Sequence, residues 1–251
     1  MQHRASFLER YAAWLAAAAA VYVRPRVGIV LLLGFSAGLP LALSGETLRV
    51  WMADRGVDLA TIGLISLAGV PYTIKFFWAP VVDALPVPFL SAHLGRRRGW
   101  LVASQLLLMA TILLLGTRDP LASPLLVGLC ALLVAFASAT QDIVIDAYRV
   151  EILPTEEQAA GMASYVAAYR VGMLASGAGV IALAASLEAL KLDRAQVWGL
   201  AYSAAAALVG IGLAATLIAP EPDHSGWEKE GGEAAGAPTR VWQAADGGET
   251  T

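Results

Sequence analysis

Six apolar stretches fill most of the sequence, and each is long enough to cross a lipid bilayer as an α-helix, which takes about 20 residues. Charged or proline-containing segments separate these stretches. The composition agrees, because only 15% of the residues are charged, against about 25% in an average soluble domain. The sequence therefore predicts an all-α integral membrane protein with a six-helix transmembrane domain at residues 27–219. The six spans are predicted at 27–50, 59–83, 100–117, 121–147, 159–187 and 196–219.

The two ends of the chain are more polar than the region between them. Residues 1–26 contain an alanine-rich apolar part that is too short for a span and is followed by Arg24 and Arg26. A cytosolic or interfacial segment is expected there, and the lack of a small-residue cleavage pattern argues against a cleaved signal peptide. Residues 220–251 carry seven acids and two bases from Glu221 onward. Their richness in Gly, Ala and Pro predicts a disordered, acidic cytosolic tail.

The loops between the spans differ in their content of basic residues, which orients helices in a membrane. One set of segments is arginine-rich: Arg4, Arg10, Arg24 and Arg26 before the first span, and Arg96, Arg97 and Arg98 after the second. The loops at the opposite side hold fewer bases: Arg55, Arg118, Lys191 and Arg194. The richer side is expected in the cytoplasm, and with an even number of spans both termini lie inside, an N-in/C-in topology.

Several classes of function are excluded by what the sequence lacks. The only cysteine, Cys130, lies in an apolar run, and the three histidines are far apart, so no metal site is predicted. No lysine follows a glycine, which excludes the G-x-x-x-x-G-K phosphate loop. No cofactor is predicted, and without a basic block no nucleic-acid partner is expected.

Charged residues within the fourth span are the first candidates for function, because a charge near the centre of a membrane costs at least about 2.5 kcal/mol on insertion scales. Asp142, Asp146 and Arg149 are spaced so that they share one helical face. Two carboxylates one turn apart repel, so one is expected to exchange a proton near neutral pH, while Arg149 holds the other ionised. The alternative is an ion-pair network that only ties helices together. The acids lie on one helix with an arginine beside them, which disfavours a two-aspartate intramembrane protease, and no enzymatic activity is predicted.

Other spans add polar residues that could face a shared interior. Glu46 in the first span is a further candidate for proton coupling, beside Arg49 three residues later. Cations and tyrosines on several helices could hold an anionic substrate with sugar or peptide surfaces. The candidates for substrate binding are Arg49, Lys75, Gln141, Tyr165, Tyr169 and Arg170. The alternatives are that Glu46 and Arg49 form a local pair near the outer interface, and that Lys75 extends its amine to the interface.

Small residues and prolines predict how the helices pack. Gly34 and Gly38 form a G-x-x-x-G in the first span, and Gly172 with Ser176 repeats the spacing in the fifth, which is typical of close helix contacts. Pro40 and Pro71 also predict kinks in their helices.

Four runs of residues resemble a known family, the muropeptide permeases of the AmpG type, within the major facilitator superfamily. The most specific is Ser138-Ala139-Thr140-Gln141-Asp142-Ile143-Val144-Ile145-Asp146-Ala147-Tyr148-Arg149. The others are Leu33–Pro40, Gly69–Asp83 and Gly95–Trp100. The resemblance covers roughly residues 27–185, with six spans matching the N-terminal half of that fold.

The resemblance implies proton-driven import across the bacterial inner membrane. The implied substrates are cell-wall fragments in which N-acetylglucosamine is linked to anhydro-N-acetylmuramic acid carrying a short peptide, so the partners would be membrane lipid, protons and an anionic sugar peptide. The resemblance also implies a cytoplasmic gate in the loop after the second span. Its residues are Asp83, Arg96, Arg97 and Arg98.

One departure from the family pattern leaves two readings of function open. Such transporters have two six-helix halves that alternate access around a central site, whereas six spans are predicted here. The first reading is a proton-coupled transporter, or half of one, that works with a second six-helix half or as a homodimer. The second is a truncated, non-transporting remnant or an accessory subunit, with a polar tail that is either native or a product of truncation. An intramembrane hydrolase ranks below both.

Overall fold

Six long helices make up most of the part of the chain that the computed structural model describes, residues 19–222. No strand occurs among these residues, so the predicted all-α, six-span fold class is confirmed. The predicted interfacial segment before residue 27 and the predicted tail after residue 219 lie largely outside the described residues. The helices are α1 (Pro25–Asp54), α2 (Leu59–Phe77), α3 (Arg96–Gly116), α4 (Pro124–Ile152), α5 (Thr155–Ala189) and α6 (Arg194–Ile218).

The second span is divided where one continuous span at 59–83 is predicted. Helix α2 ends at Phe77, and a separate short helix runs over Ala79–Ala84. Pro80 occupies the first turn of this short helix. A proline has no backbone N–H to continue the ladder of the preceding helix, so the chain breaks and restarts around Trp78. A second short helix, Leu90–Leu94, precedes α3.

Local sequence accounts for the start of α2. Asp58 is its N-cap, and its carboxylate accepts hydrogen bonds from the Thr61 hydroxyl at 2.7 Å and the Thr61 backbone N–H at 3.0 Å. These bonds satisfy a donor that has no partner within the helix. They also lower the pKa of Asp58, first through the Thr61 hydroxyl and then through the backbone N–H.

Helices α1 and α5 each widen into a π-helical turn, and these two turns face each other. The turns span Leu43–Thr47 and Ala175–Gly179. The Thr47 hydroxyl donates to the carbonyl oxygen of Ser176 at 2.8 Å. The Tyr202 hydroxyl of α6 donates to the carbonyl of Leu43 at 3.1 Å. Side chains from neighbouring helices therefore bind carbonyls of both wide turns, and the irregularity of α1 lies just after Pro40.

The closest helix contact in the bundle is between α1 and α5, where glycines remove the side chains that would separate the backbones. A methyl group at Gly34 would lie 2.6 Å from the carbonyl oxygen of Tyr165. At Gly38 it would overlap the carbonyl of Tyr169, and at Gly172 the carbonyl of Phe35. The predicted role of these glycines in packing is confirmed.

Gly38→Ala should therefore destabilise the bundle. Since the added methyl group meets backbone rather than a flexible side chain, the helices must separate, at a cost of about 1–3 kcal/mol in the free energy of unfolding. Gly210→Ala is the matched control, because nothing lies within 4 Å of a methyl group there. Denaturant unfolding in detergent measures both, and equal stability of the two variants would contradict the packing argument.

Burial is distributed unevenly among the helices. In the most apolar 18-residue part of α1, 61% of the residues are buried within the bundle. The corresponding shares are only 17% for α2 and 22% for α5. Helix α1 packs against α4, α5 and α6, and α3 packs against α4 and α6. Helices α2 and α5 thus present most of their surface to lipid or to another protein, and the polar residues described next lie along them and α4.

Candidate functional site

Lys75 of α2 and Asp142 of α4 come together, although 66 residues of chain separate them. The amine of Lys75 lies 3.7 Å from Oδ2 of Asp142, which is an ion pair without a close hydrogen bond. The side chain of Asp142 is 14% exposed and that of Lys75 is 33% exposed. The other carboxylate oxygen, Oδ1, is buried and has no hydrogen-bond partner. This acid is therefore incompletely paired in a membrane helix, where such groups are costly.

Three tyrosines lie near Asp142. Tyr72 of α2 and Tyr165 and Tyr169 of α5 all lie within electrostatic range of the carboxylate of Asp142. The hydroxyl of Tyr72 is buried without a hydrogen-bond partner. Tyr72 is not among the residues predicted for the site, but it precedes Lys75 by three positions, so the helical period alone places both on one face.

Asp146 and Arg149 form a second cluster one turn along α4. Nη2 of Arg149 lies 3.4 Å from Oδ1 of Asp146, whose side chain is 51% exposed. The guanidinium of Arg149 lies over the ring of Tyr165, 5.6 Å from its centroid, within the range of a cation–π contact, and also contacts the sulfur of Met162. Asp142 and Asp146 therefore have different surroundings, one enclosed beside Lys75 and the other open beside Arg149.

Among the described residues, the polar residues of α1 and the arginine of α5 form no ion pair with Lys75 or Asp142. Arg49 pairs with Glu46 on the same helix, and both side chains are exposed, at 42% and 75%. This geometry agrees with the second of the two alternatives for these residues, in which Glu46 and Arg49 form a local pair. Arg170 is exposed on α5, and Nη1 of its guanidinium lies 3.9 Å from the sulfur of Met173.

Gln141 faces away from the acids and into the bundle. Its side chain is buried, and its amide nitrogen lies 3.5 Å from the hydroxyl of Ser36. Gln105 of α3 and Thr216 of α6 are also buried, and the Thr216 hydroxyl donates to the Gln105 amide oxygen at 3.1 Å. The structure thus places Gln141 among buried polar residues inside the bundle, and not on the face that carries Asp142.

At the cytoplasmic end predicted from the charge pattern, Arg97 joins two acids from different helices. Its Nη1 donates to Oδ1 of Asp83 at 2.6 Å, and Nε and Nη2 donate to Glu151 of α4 at 3.0 and 2.5 Å. The side chain of Arg97 is 7% exposed, that of Glu151 is 15% exposed, and that of Asp83 is 50% exposed. The pairing with Glu151 is bidentate, which is the strong geometry for an arginine.

The neighbouring arginines bind backbone carbonyls instead. Arg96 contacts the carbonyl of Asp83. Arg98 donates to the carbonyls of Thr216 and Leu217 at 3.1 and 2.8 Å, where α6 ends with carbonyls that have no partner within the helix. Of the four residues predicted for the gate, the structure brings Asp83 and Arg97 together as an ion pair and gives the other two arginines separate contacts.

Two acids at this end are absent from the sequence-predicted set. One is Glu151, and the other is Glu221, which accepts hydrogen bonds from the backbone N–H groups of Arg97 and Arg98 at 2.8 and 3.0 Å. A carboxylate at the N-terminus of α3 is favoured by the helix dipole. Both partners are distant in the chain, so only the observation that three adjacent arginines need acids could have pointed to them.

Within residues 19–222, no group of His, Cys, Asp and Glu side chains lies close enough together to hold a metal ion.

Comparison with known proteins identifies relatives. Residues 27–247 match the sequence profile of the Major Facilitator Superfamily. The anhydromuropeptide permease of Escherichia coli strain K12 is 44% identical over 202 residues, which are 80% of this chain and 39% of that protein. The protein named AmpG 1 of Rickettsia conorii is 37% identical over 158 residues, which are 63% of this chain and 38% of that protein.

These matches confirm the resemblance to the AmpG-type permeases. The chain spans about two fifths of the length of the curated relatives it matches. With its six apolar helices, it is a multi-pass protein of the bacterial inner membrane. Since the superfamily profile matches most of its length, the chain belongs to the Major Facilitator Superfamily.

Proposed function

We propose that this chain is a proton-coupled importer of anhydromuropeptides, or one half of such a transporter. The observation that carries the proposal is the Lys75–Asp142 pair, 3.7 Å apart on the polar face of α2 and α4. The name of the E. coli relative, anhydromuropeptide permease, supports the choice of substrate.

The proton would act by changing the charge of Asp142. A proton on this carboxylate neutralises it and frees the amine of Lys75 to bind an anionic group of the substrate. When the proton leaves toward the cytoplasm, the carboxylate attracts Lys75 again and the substrate loses that contact. Proton binding and substrate binding are thereby linked through one amine, as coupling requires that each ligand change the affinity for the other.

The rest of the polar face offers contacts for a sugar peptide. Tyr165 and Tyr169 lie with their ring centroids 6.1 Å apart, and aromatic rings suit the apolar faces of sugars. Arg149 and Arg170 flank these rings and carry charges that match substrate carboxylates. Asp146 beside Arg149 is a second proton-binding candidate. Glu46 and Arg49 are weaker candidates because they pair with each other, and Gln141 is weaker because it faces Ser36 inside the bundle.

The cluster of Asp83, Arg97 and Glu151 would act as the cytoplasmic gate. It ties the end of the second span to α3 and α4, and both of its ion pairs are breakable without unfolding a helix. Opening toward the cytoplasm would require Asp83, the more exposed partner, to leave Arg97 while Glu151 keeps it paired.

A second six-helix unit would complete the transport path. In the most apolar parts of α2 and α5 only 17% and 22% of the residues are buried, and these helices carry Lys75, Tyr165 and Tyr169, each of which is only partly buried. The relatives are more than twice as long as the matched region. The proposed partner is a further half covering this face, supplied by another chain or by a second copy of this one.

Uptake of a labelled anhydromuropeptide into permease-deficient cells tests the proposal. The chain is expressed alone and together with the part of the E. coli permease that lies outside the matched region, each with and without a protonophore. Uptake that the protonophore abolishes is expected in at least one of the two arms. Uptake by the chain alone would indicate self-association.

An absence of uptake in both arms, with insertion of the chain verified, would contradict the proposal. It would favour the alternative, a non-transporting membrane protein of the same fold. The intact E. coli permease in the same cells is the positive control for substrate and gradient.

A further inference from the structure

A cavity lies at the end of the bundle opposite the Asp83–Arg97–Glu151 cluster. Its volume is about 580 Å³, and its walls come from the ends of α1, α3 and the first turns of α6. Trp51 lies buried at its inner side and stacks on Trp198, with ring centroids 5.6 Å apart. Nothing in the proposed transport mechanism uses this cavity, because the Lys75–Asp142 pair is not part of its lining.

An arginine without a carboxylate partner lines this cavity. Arg118 takes part in none of the ion pairs formed among residues 19–222. Its Nε is buried and has no hydrogen-bond partner. A guanidinium is always charged and offers a planar set of donors that matches a phosphate. The unpaired N–H therefore predicts an anionic acceptor in this space.

The other charged groups of the cavity compensate each other. Arg55 donates to Oδ2 of Asp119 at 3.0 Å, and Oδ1 of Asp119 accepts from the backbone N–H of Leu121 at 3.0 Å. These contacts, with the backbone N–H of Leu121 foremost, lower the pKa of Asp119. Asp119 is thus ionised but already paired, which leaves the charge of Arg118 uncompensated.

The cavity lies at the depth of lipid headgroups. Helix α3 has 21 residues, so at about 1.5 Å per residue it matches the roughly 30 Å thickness of a hydrocarbon core. Arg118 follows its last residue, Gly116, by two positions. Beside it, Leu200 and Leu113 are 49% and 43% exposed on the outer surface of α6 and α3, where acyl chains would contact them.

We propose that this cavity binds a phospholipid of the outer leaflet, with its phosphate on Arg118 and its upper acyl chains against Trp51 and Leu200. The apolar walls favour an amphiphile over a soluble ion, and the guanidinium offers the planar donors that match a headgroup phosphate. The polar side chains of Gln196 and Ser203 at the rim suit the glycerol and ester oxygens. The bound lipid would fix the loop between α3 and α4 against α6.

Native mass spectrometry of the full chain in detergent tests this site. Phosphatidylglycerol and diacylglycerol with the same acyl chains are titrated onto the wild type and three variants. The wild type should bind phosphatidylglycerol about tenfold more tightly than diacylglycerol, since the difference is a charge-assisted contact to the phosphate. Arg118→Gln should remove this preference. Ser203→Phe should weaken the binding of phosphatidylglycerol, because the phenylalanine ring fills the cavity while the charge of Arg118 is kept.

Arg194→Gln is the matched control, because Arg194 is an exposed base at the same end of the bundle and does not line the cavity. Its affinity for phosphatidylglycerol should equal that of the wild type. Equal binding by Arg118→Gln and Arg194→Gln would overturn the proposal, as would equal affinity for the two lipids. Competition by glycerol phosphate as strong as that by the lipid would also overturn it and identify a site for soluble anions.

Discussion

Asp142→Asn should abolish accumulation of anhydromuropeptide while leaving insertion of the chain intact. The amide has the shape of the acid but neither takes up a proton nor attracts Lys75, so uptake should fall to the level measured with a protonophore present. Because the amide resembles the protonated state, exchange of labelled substrate across the membrane at equal concentrations should persist. Measuring accumulation and exchange in the same transporting cells separates loss of coupling from loss of binding.

Asp146→Asn is the matched comparison on the same helix. Asp146 is 51% exposed and its carboxylate lies 3.4 Å from Arg149, so its loss removes a weak pair and should leave a substantial part of accumulation. If Asp142→Asn accumulated substrate normally, Asp142 would not carry the proton. Normal accumulation by both variants would exclude this face of α4 from coupling.

The helices of this protein were predictable because each is encoded by a local feature. The long apolar runs and the basic loops are sufficient to predict six spans. The glycines of α1 and α5 predict that these two helices are in close contact. The break at Trp78 was not predicted, although Pro80 is visible in the sequence, because membrane helices often continue through proline. Its effect depends on the packing of the second span, which is loosely buried.

The site was predictable only in its residue types. Asp142 and Asp146 are one turn apart and equivalent in the sequence, and the approach of Lys75 from α2 is what distinguishes them. Gln141 is adjacent to Asp142 in the chain, yet the helical period turns it into the bundle toward Ser36. Glu151 and Glu221 reach Arg97 from distant segments, and no local pattern encodes such pairings.

Arg97→Met should destabilise the bundle by about 3–5 kcal/mol in the free energy of unfolding, as expected when one partner of a buried ion pair is removed. The change leaves the carboxylate of Glu151, 15% exposed, without its bidentate partner. Arg96→Met is the control, because Arg96 contacts only the backbone carbonyl of Asp83 and should cost less than about 1 kcal/mol. The free energies of unfolding of the two variants and the wild type are measured in lipid bicelles.

A double-mutant cycle decides whether the loss comes from the ion pair. Arg97→Met combined with Glu151→Met replaces both charges by apolar side chains of similar length, and such replacements of buried pairs are often neutral or stabilising. The double variant should therefore be more stable than Arg97→Met alone, with a coupling energy of at least about 1.5 kcal/mol. A coupling near zero would mean that the contacts between Arg97 and Glu151 behave as a solvated surface pair. Glu151 would then not hold Arg97 in place while Asp83 leaves it, and the proposed order of opening would be wrong.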